Sequence, residues 1–209
     1  TISISDMIYA SSDLPKTVEV HSLQVLLDPK VIRMPVLDMK LGNTDLKADG
    51  TLENALGFAL KDEALHGNIN LRSDNTDLNE WMSTSADTSA AADTAAMSVV
   101  EVPGNIDFTL RADIARLAYS DMDIRSVHGA LVVRDKAVRM ENVAMNMLDG
   151  SLALSGSYAT ADPHSPSIDF SMDAKDFDIR KTVSTFAAVG KMAPMSKHCS
   201  GKFGVAMSL

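Results

Sequence analysis

The side chains able to carry chemistry are spread thinly along this 209-residue chain. Its five histidines, His21, His66, His128, His164 and His198, include no pair at metal-ligand spacing. His198 and Cys199 are neighbours, but a nucleophile and its base must meet in space, and adjacency in sequence does not supply that geometry. Ser155-Gly156-Ser157 and Ser200-Gly201 lack the strand-to-helix context of a hydrolase elbow. Gly-x-Gly and Walker phosphate loops are absent. Asp45, Asp77, Asp149 and Asp176 fall where turns or helix caps explain them. Tyr119-Ser-Asp-Met-Asp123 comes nearest to a calcium loop, yet it lacks the clustered acidic ligands and reads as a solvated loop. The expectation is a non-enzymatic protein without metal or cofactor. A hydrolase is the rival that detectable turnover would revive.

Composition narrows the partners. A net charge of −9 and a pI near 4.9 argue against nucleic acid and against simple attachment to anionic lipid. One cysteine rules out a disulfide within the chain and leaves the compartment open. No apolar run approaches the ~20 residues of a membrane helix, and no signal peptide opens the sequence. Both ends read as cuts within something longer. Hydrophobic content is 45% but aromatic content only 5%, so aliphatic residues and thirteen methionines must fill any core. Methionine is adaptable, which suits ordinary core filling and equally an irregular, ligand-accepting surface.

The elements that must carry these residues are mostly strands. Period-2 alternation marks strands over 1–10, 18–27, 31–41, 45–52 and 68–73, with turns at Asp28-Pro29-Lys30 and Gly42–Thr44. Residues 53–67 read as a short helix or an irregular connection. Asp77–Met82 reads as a helix start, with Glu80 placed for a capping box. Ser83–Ser98 holds only Ser, Thr, Ala, Asp and one Met, and reads as a linker. Alternation restarts at Val99–Leu117, the cleanest strand in the chain, and continues over 124–133. Arg139–Tyr158 reads as one hairpin with Asp149-Gly150 as its turn. A helix follows near 178–192, with Ile179, Val183, Phe186 and Val189 on one face.

The second half repeats the first. Arg33–Leu52 matches Arg139–Tyr158 at an offset of 106, with Arg33/Arg139, Met34/Met140, Met39/Met145, Leu46/Leu152 and Gly50/Gly156 identical. The same offset places residues 107–117 on 1–11. Ile69-Asn-Leu71 then matches Ile168-Asp-Phe170 at an offset of 99, and Gly201–Leu209 resembles Gly104–Leu110. The expected fold is mainly β: repeated antiparallel β-meander units forming curved sheets, with one or two short helices packed against them. The organisation is a first unit at 1–82, a linker at 83–98, a second unit at 99–200 and the start of a truncated third at 201–209.

Each unit presents one apolar face that something must cover. Ile106, Phe108, Leu110, Leu131, Val133, Val138 and Met140 are the candidates to line it. They form either a sealed core under the helix or a groove that takes lipid chains.

Three stretches together resemble the AsmA family of Gram-negative envelope proteins, in particular its C-terminal region. They are VPGNIDFTLRADIARLAYSDMDIRSVHGALVVRDKAVRMENVAMNMLDGSLALSGSY, FDIRKTVSTFAAVGKMAP, and LKADGTLENALGFALKDEALHGNINLRSDNTDLNEWM. The resemblance implies a periplasmic, β-rich segment of a longer protein anchored in the inner membrane through a segment missing from this chain. It implies a part in outer-membrane biogenesis, with phospholipid or another acyl-chain lipid handled along an apolar β groove and with envelope proteins as further partners. The family pattern has no catalytic residues to carry over. The alternative is a structural or protein-interaction β scaffold with a sealed core.

Overall fold

A computed structural model describes residues 1–10, 16–82, 100–162, 164–186 and 199–209. The linker at 83–98, the Ala-Pro run and the helix residues beyond 186 lie outside the described residues, as does His198. The chain is mainly β, as its alternation requires. The first unit runs β1 (Ile2–Tyr9), β2 (Val18–Leu27), β3 (Val31–Leu41), β4 (Thr44–Glu53), α1 (Ala55–Lys61), β5 (Leu65–Ser73), the short β6 (Thr76–Asp77) and the single turn α2 (Asn79–Met82). The second runs β7 (Ile106–Tyr119), β8 (Met122–Arg134), β9 (Ala137–Met147), β10 (Gly150–Ala159), β11 (Ser167–Asp178) and α3 (Ile179–Thr185). It is followed by β12 (Lys202–Ser208).

Both units belong to one sheet, in the order β1-β2-β3-β4-β5-β7-β8-β9-β10-β11-β12, with β6 beside β7. Each unit is an antiparallel meander, because tight turns join only antiparallel neighbours. The units meet through β5 and β7, which pair in parallel over Leu65–Ser73 and Ile106–Ile114. Parallel pairing needs a crossover, which residues 74–105 supply. β12 pairs with β11 antiparallel, so this neighbour differs in direction from the β5–β7 joint.

The repeat is visible in the register. β9 and β10 occupy the bounds of β3 and β4 shifted by 106. Met34 opposes Gly50 and Leu37 opposes Ala48 across a bulge at Pro35-Val36. Met140 opposes Gly156 and Val143 opposes Leu154 across the matching bulge at Glu141-Asn142. The outer strands correct the sequence alignment. Ile2 opposes Val25 while Leu110 opposes Leu131, so β1 and β7 are offset by 108. Ile69 opposes Gly50 while Phe170 opposes Gly156, so β5 and β11 are offset by 101, not 99. Both corrections are of two residues, which leaves every side chain on its expected face.

The turns also differ from expectation. The β9–β10 turn is Leu148-Asp149, both with positive φ (53° and 60°), and Gly150 is the first strand residue, opposite Met147. Asp135-Lys136 forms a like turn between β8 and β9, with φ of 53° and 57°. Both have the positive φ pair of a two-residue hairpin loop. Glu80 turns outward to the β3–β4 turn, where its carboxylate accepts from the Asn43 backbone N–H (2.9 Å) and side-chain amide (3.1 Å). Asp77 accepts from the Asn79 N–H at the start of α2.

The strand ends define two rims. The lower rim carries the β2–β3 turn, α1, residues 100–105, the β8–β9 turn and the β10–β11 connection; the upper rim carries the other turns, α2 and α3. The main buried cluster lies toward the upper rim. Ile124, Met147, Ala174 and Phe177 form it, with Leu117, Met122, Leu148, Leu152 and Phe203 packed around. The Phe177 and Phe203 rings meet edge to face at 6.1 Å. A smaller buried set, Val102, Ala137 and Thr160, fixes residues 100–105 at the lower rim, where the Val102 N–H donates to the Thr160 hydroxyl (2.8 Å).

Candidate functional site

All seven apolar candidates fall on one face of the sheet, in its lower half. Phe108 opposes Val133, which opposes Val138; Leu110 opposes Leu131, which opposes Met140; Ile106 is two residues from Phe108 and opposes Leu65. The rows they start run on in both directions. One passes from Phe108 to Gly67, Leu52 and Ile32, and from Val138 to Tyr158 and Ile168. The next passes from Leu110 to Ile69, Gly50 and Met34, and from Met140 to Gly156 and Phe170. Apolar rows therefore cross the joint between the units without interruption. Two of the row glycines lie opposite aromatic rings. A Cβ on Gly67 would meet the Phe108 ring at 2.3 Å, and one on Gly156 would meet the Phe170 ring at 3.4 Å. At these two places a large ring thus sits over an absent side chain.

Burial divides this face. None of the seven belongs to the buried cluster; six are half-buried and Leu131 is 37% exposed. Helix α3 packs beside β11 and α1 beside β5, and neither covers β7, β8 or β9, the strands that carry the seven. Sequence reasoning named only the second unit's share of the face. Leu52, Ile69 and Leu71 on one side and Phe170, Met172 and Met207 on the other extend it, and the same alternation marks them. Their place beside the seven depends on strand order, which alternation does not show.

The opposite face is polar and ion-paired. Asp107 accepts from Arg134 (2.7 Å) and lies 3.4 Å from His66 across the joint. Hydrogen bonding from Arg134 is the main reason the Asp107 carboxyl is held below the usual carboxylate range. Asp123 is lowered likewise by Arg116 and then Arg125, each at 2.7 Å. Asp45 is pushed up by partial burial, but the backbone N–H groups of Asp74 and Asn75 outweigh that and lower it.

The chemistry-bearing residues do not converge. His21 pairs with Asp38, His164 with Asp162, and His128 bonds the Ser126 carbonyl, on separate strands or loops. Cys199 is exposed. No group of three His, Cys, Asp or Glu among the described residues is placed to hold a metal ion. A cleft of about 870 Å³ opens at the upper rim, lined by residues including Asp121, Asp123, Arg125, Asp149, Lys181 and Lys202. Four of its charges pair, Lys181 with Asp149 (2.6 Å) and Arg125 with Asp123. It contains none of the apolar candidates. No described helix is long and apolar enough to cross a membrane. No protein family, no curated protein and no solved structure matches the chain.

Proposed function

We propose that the apolar face holds the acyl chains of phospholipid or a related lipid, in a periplasmic segment of an AsmA-like envelope protein anchored in the inner membrane. The role is non-enzymatic: the sheet floor shields acyl chains while its polar face meets water, in the service of outer-membrane biogenesis alongside envelope partner proteins. The observation that carries this reading is the run of apolar rows across both units, half-exposed in the lower half of the sheet. An apolar surface this extended on a water-facing chain calls for an apolar occupant. Eleven strands abreast span about 48 Å at the usual inter-strand spacing, so the rows form an elongated track.

Native mass spectrometry of the gently purified chain, followed by lipid extraction, tests the reading. The expected result is co-purifying phospholipid at defined stoichiometry, lost in Leu110→Asp/Leu131→Asp while circular dichroism still reports the same β content. A clean apo mass for the unmodified chain would overturn it and favour a sealed β scaffold.

A further inference from the structure

Among the described residues, six of the seven most exposed large apolar side chains lie along the lower rim. They are Leu27, Leu56, Leu60, Val100, Ile168 and Leu209, from 57% exposed at Leu27 and Leu56 to 79% at Leu209; the seventh, Ile8, is at the upper rim. Leu56 and Leu60 are four apart on α1 and so share one face of it, and both project away from the sheet. Leu27 and Ile168 lie at strand ends on this rim. Ile168 stands opposite Tyr158, and Leu27 opposite Ile32, at the two ends of the Phe108 row. The exposed rim and the apolar face are therefore one continuous surface.

Hydrogen bonds fix the rim as a shelf. The Asn54 N–H donates to the Lys30 carbonyl (2.8 Å), tying the start of α1 to the β2–β3 turn. The Asn105 amide donates to Asp62 (2.7 Å), tying the other end of α1 to residues 100–105. Tyr158 donates to the Val100 carbonyl (3.0 Å), and the Thr160 N–H to the Lys136 carbonyl (2.9 Å). The projecting side chains thus keep a set spacing.

We propose that this lower rim docks on the surface of a zwitterionic lipid bilayer, with Leu56, Leu60 and Val100 entering the interfacial region. Two observations favour a bilayer over a shaped protein partner. The anchors stand on two connections, α1 and residues 100–105, and none of them lines the clefts found among the described residues. A fluid apolar phase accepts isolated projecting side chains, whereas protein hot spots pair with pockets. Charge selects the lipid. The lower-rim connections carry three lysines, Lys30, Lys61 and Lys136, against six carboxylates, which disfavours an anionic surface. Docked in this way, the rim would bring the half-exposed half of the apolar face to the bilayer and leave the buried cluster distal. The docking surface does not depend on the face being filled with lipid.

Flotation of the purified chain with phosphatidylcholine vesicles tests this. The unmodified chain is expected to float, and Leu56→Asp/Leu60→Asp to lose at least about tenfold in vesicle affinity, from two buried leucines replaced by charge. Ile8→Asp, at the other rim, should float as the unmodified chain does. Leu110→Asp should also float while losing any extracted lipid, which separates docking from lipid holding. The proposal falls if the unmodified chain stays with the protein fraction, if it floats only with vesicles containing phosphatidylglycerol, or if Ile8→Asp loses as much as the rim variant. It also falls if sedimentation shows that the rim variant converts a dimer to a monomer without vesicle binding.

Discussion

A Cβ added at Gly150 would come within 2.2 Å of the Lys175 carbonyl oxygen and 2.7 Å of the Phe177 ring. The strand beside it has no room to give, since Phe177 is part of the buried cluster. Gly150→Val should therefore destabilise by on the order of 3 kcal/mol, or roughly 6–12 °C in a chain of this size, read by thermal unfolding. A shift under a degree would show that the neighbouring strand yields. Asp149-Gly150 invites reading as the hairpin turn, which would need positive φ at the glycine, but close approach is the actual constraint. The positive φ belongs to Leu148 and Asp149. Leucine is a poor turn former, so nothing in its type announces this conformation; its side chain packs on the buried cluster, which offsets the local cost. The Asp135-Lys136 turn has no such compensation in a buried side chain, since both residues are exposed. Lys136→Gly should stabilise by about 0.5–1 kcal/mol, because glycine carries no penalty at φ 57°. Unchanged or lower stability in chemical denaturation would count against that turn geometry.

The repeat offset was legible for β3–β4 and β9–β10, but the β7–β8 turn was not. It is Ser120-Asp121, inside the stretch 119–123 that reads as a solvated loop, with β7 running to Tyr119 and β8 starting at Met122. β3–β4 and β9–β10 keep the 106 offset because a two-residue loop admits one register. β1 reaches β2 through eight residues and β7 reaches β8 through two, so the offset slips to 108 where loop length stops constraining it. The parallel joint of β5 and β7 was not legible at all, because alternation says nothing about which strands become neighbours. One ion pair, His66 with Asp107, crosses that joint, and Asp107, held chiefly by Arg134 of β8, gives the neighbouring strands an acid limit. Asp107 has its pKa lowered on folding, so its contribution is present in full above the ordinary carboxylate value of about 3.9 and is lost as pH falls through the folded value. Stability should drop as pH falls below about 4. Asp107→Asn should flatten that limb of the pH profile while lowering stability at neutral pH. Equal acid sensitivity in both proteins would mean that Asp123 and Asp45, also lowered, carry the effect instead.

At the scale of the whole molecule, the question is whether two related units behave as one sheet. The joint is a nine-residue parallel pairing, as long as many of the contacts within a unit, and the apolar rows run through it. Breaking the first unit should therefore weaken the second. Gly50 offers a remote place to do so. A Cβ there would meet the Asn68 carbonyl oxygen at 2.4 Å, so Gly50→Val forces β4 from β5 without touching β7–β12. Once β5 is loosened, β7 becomes an edge strand with its apolar side chains more exposed, and the pairing that shields it is lost. Amide exchange in β9 and β10 should then speed up, and thermal unfolding should remain a single transition at a lower temperature. Independent units would leave β9 and β10 protected as before and split the melt in two. That result would also weaken the lipid reading, because a track that spans both units needs a joint that stays paired while its occupant passes over it.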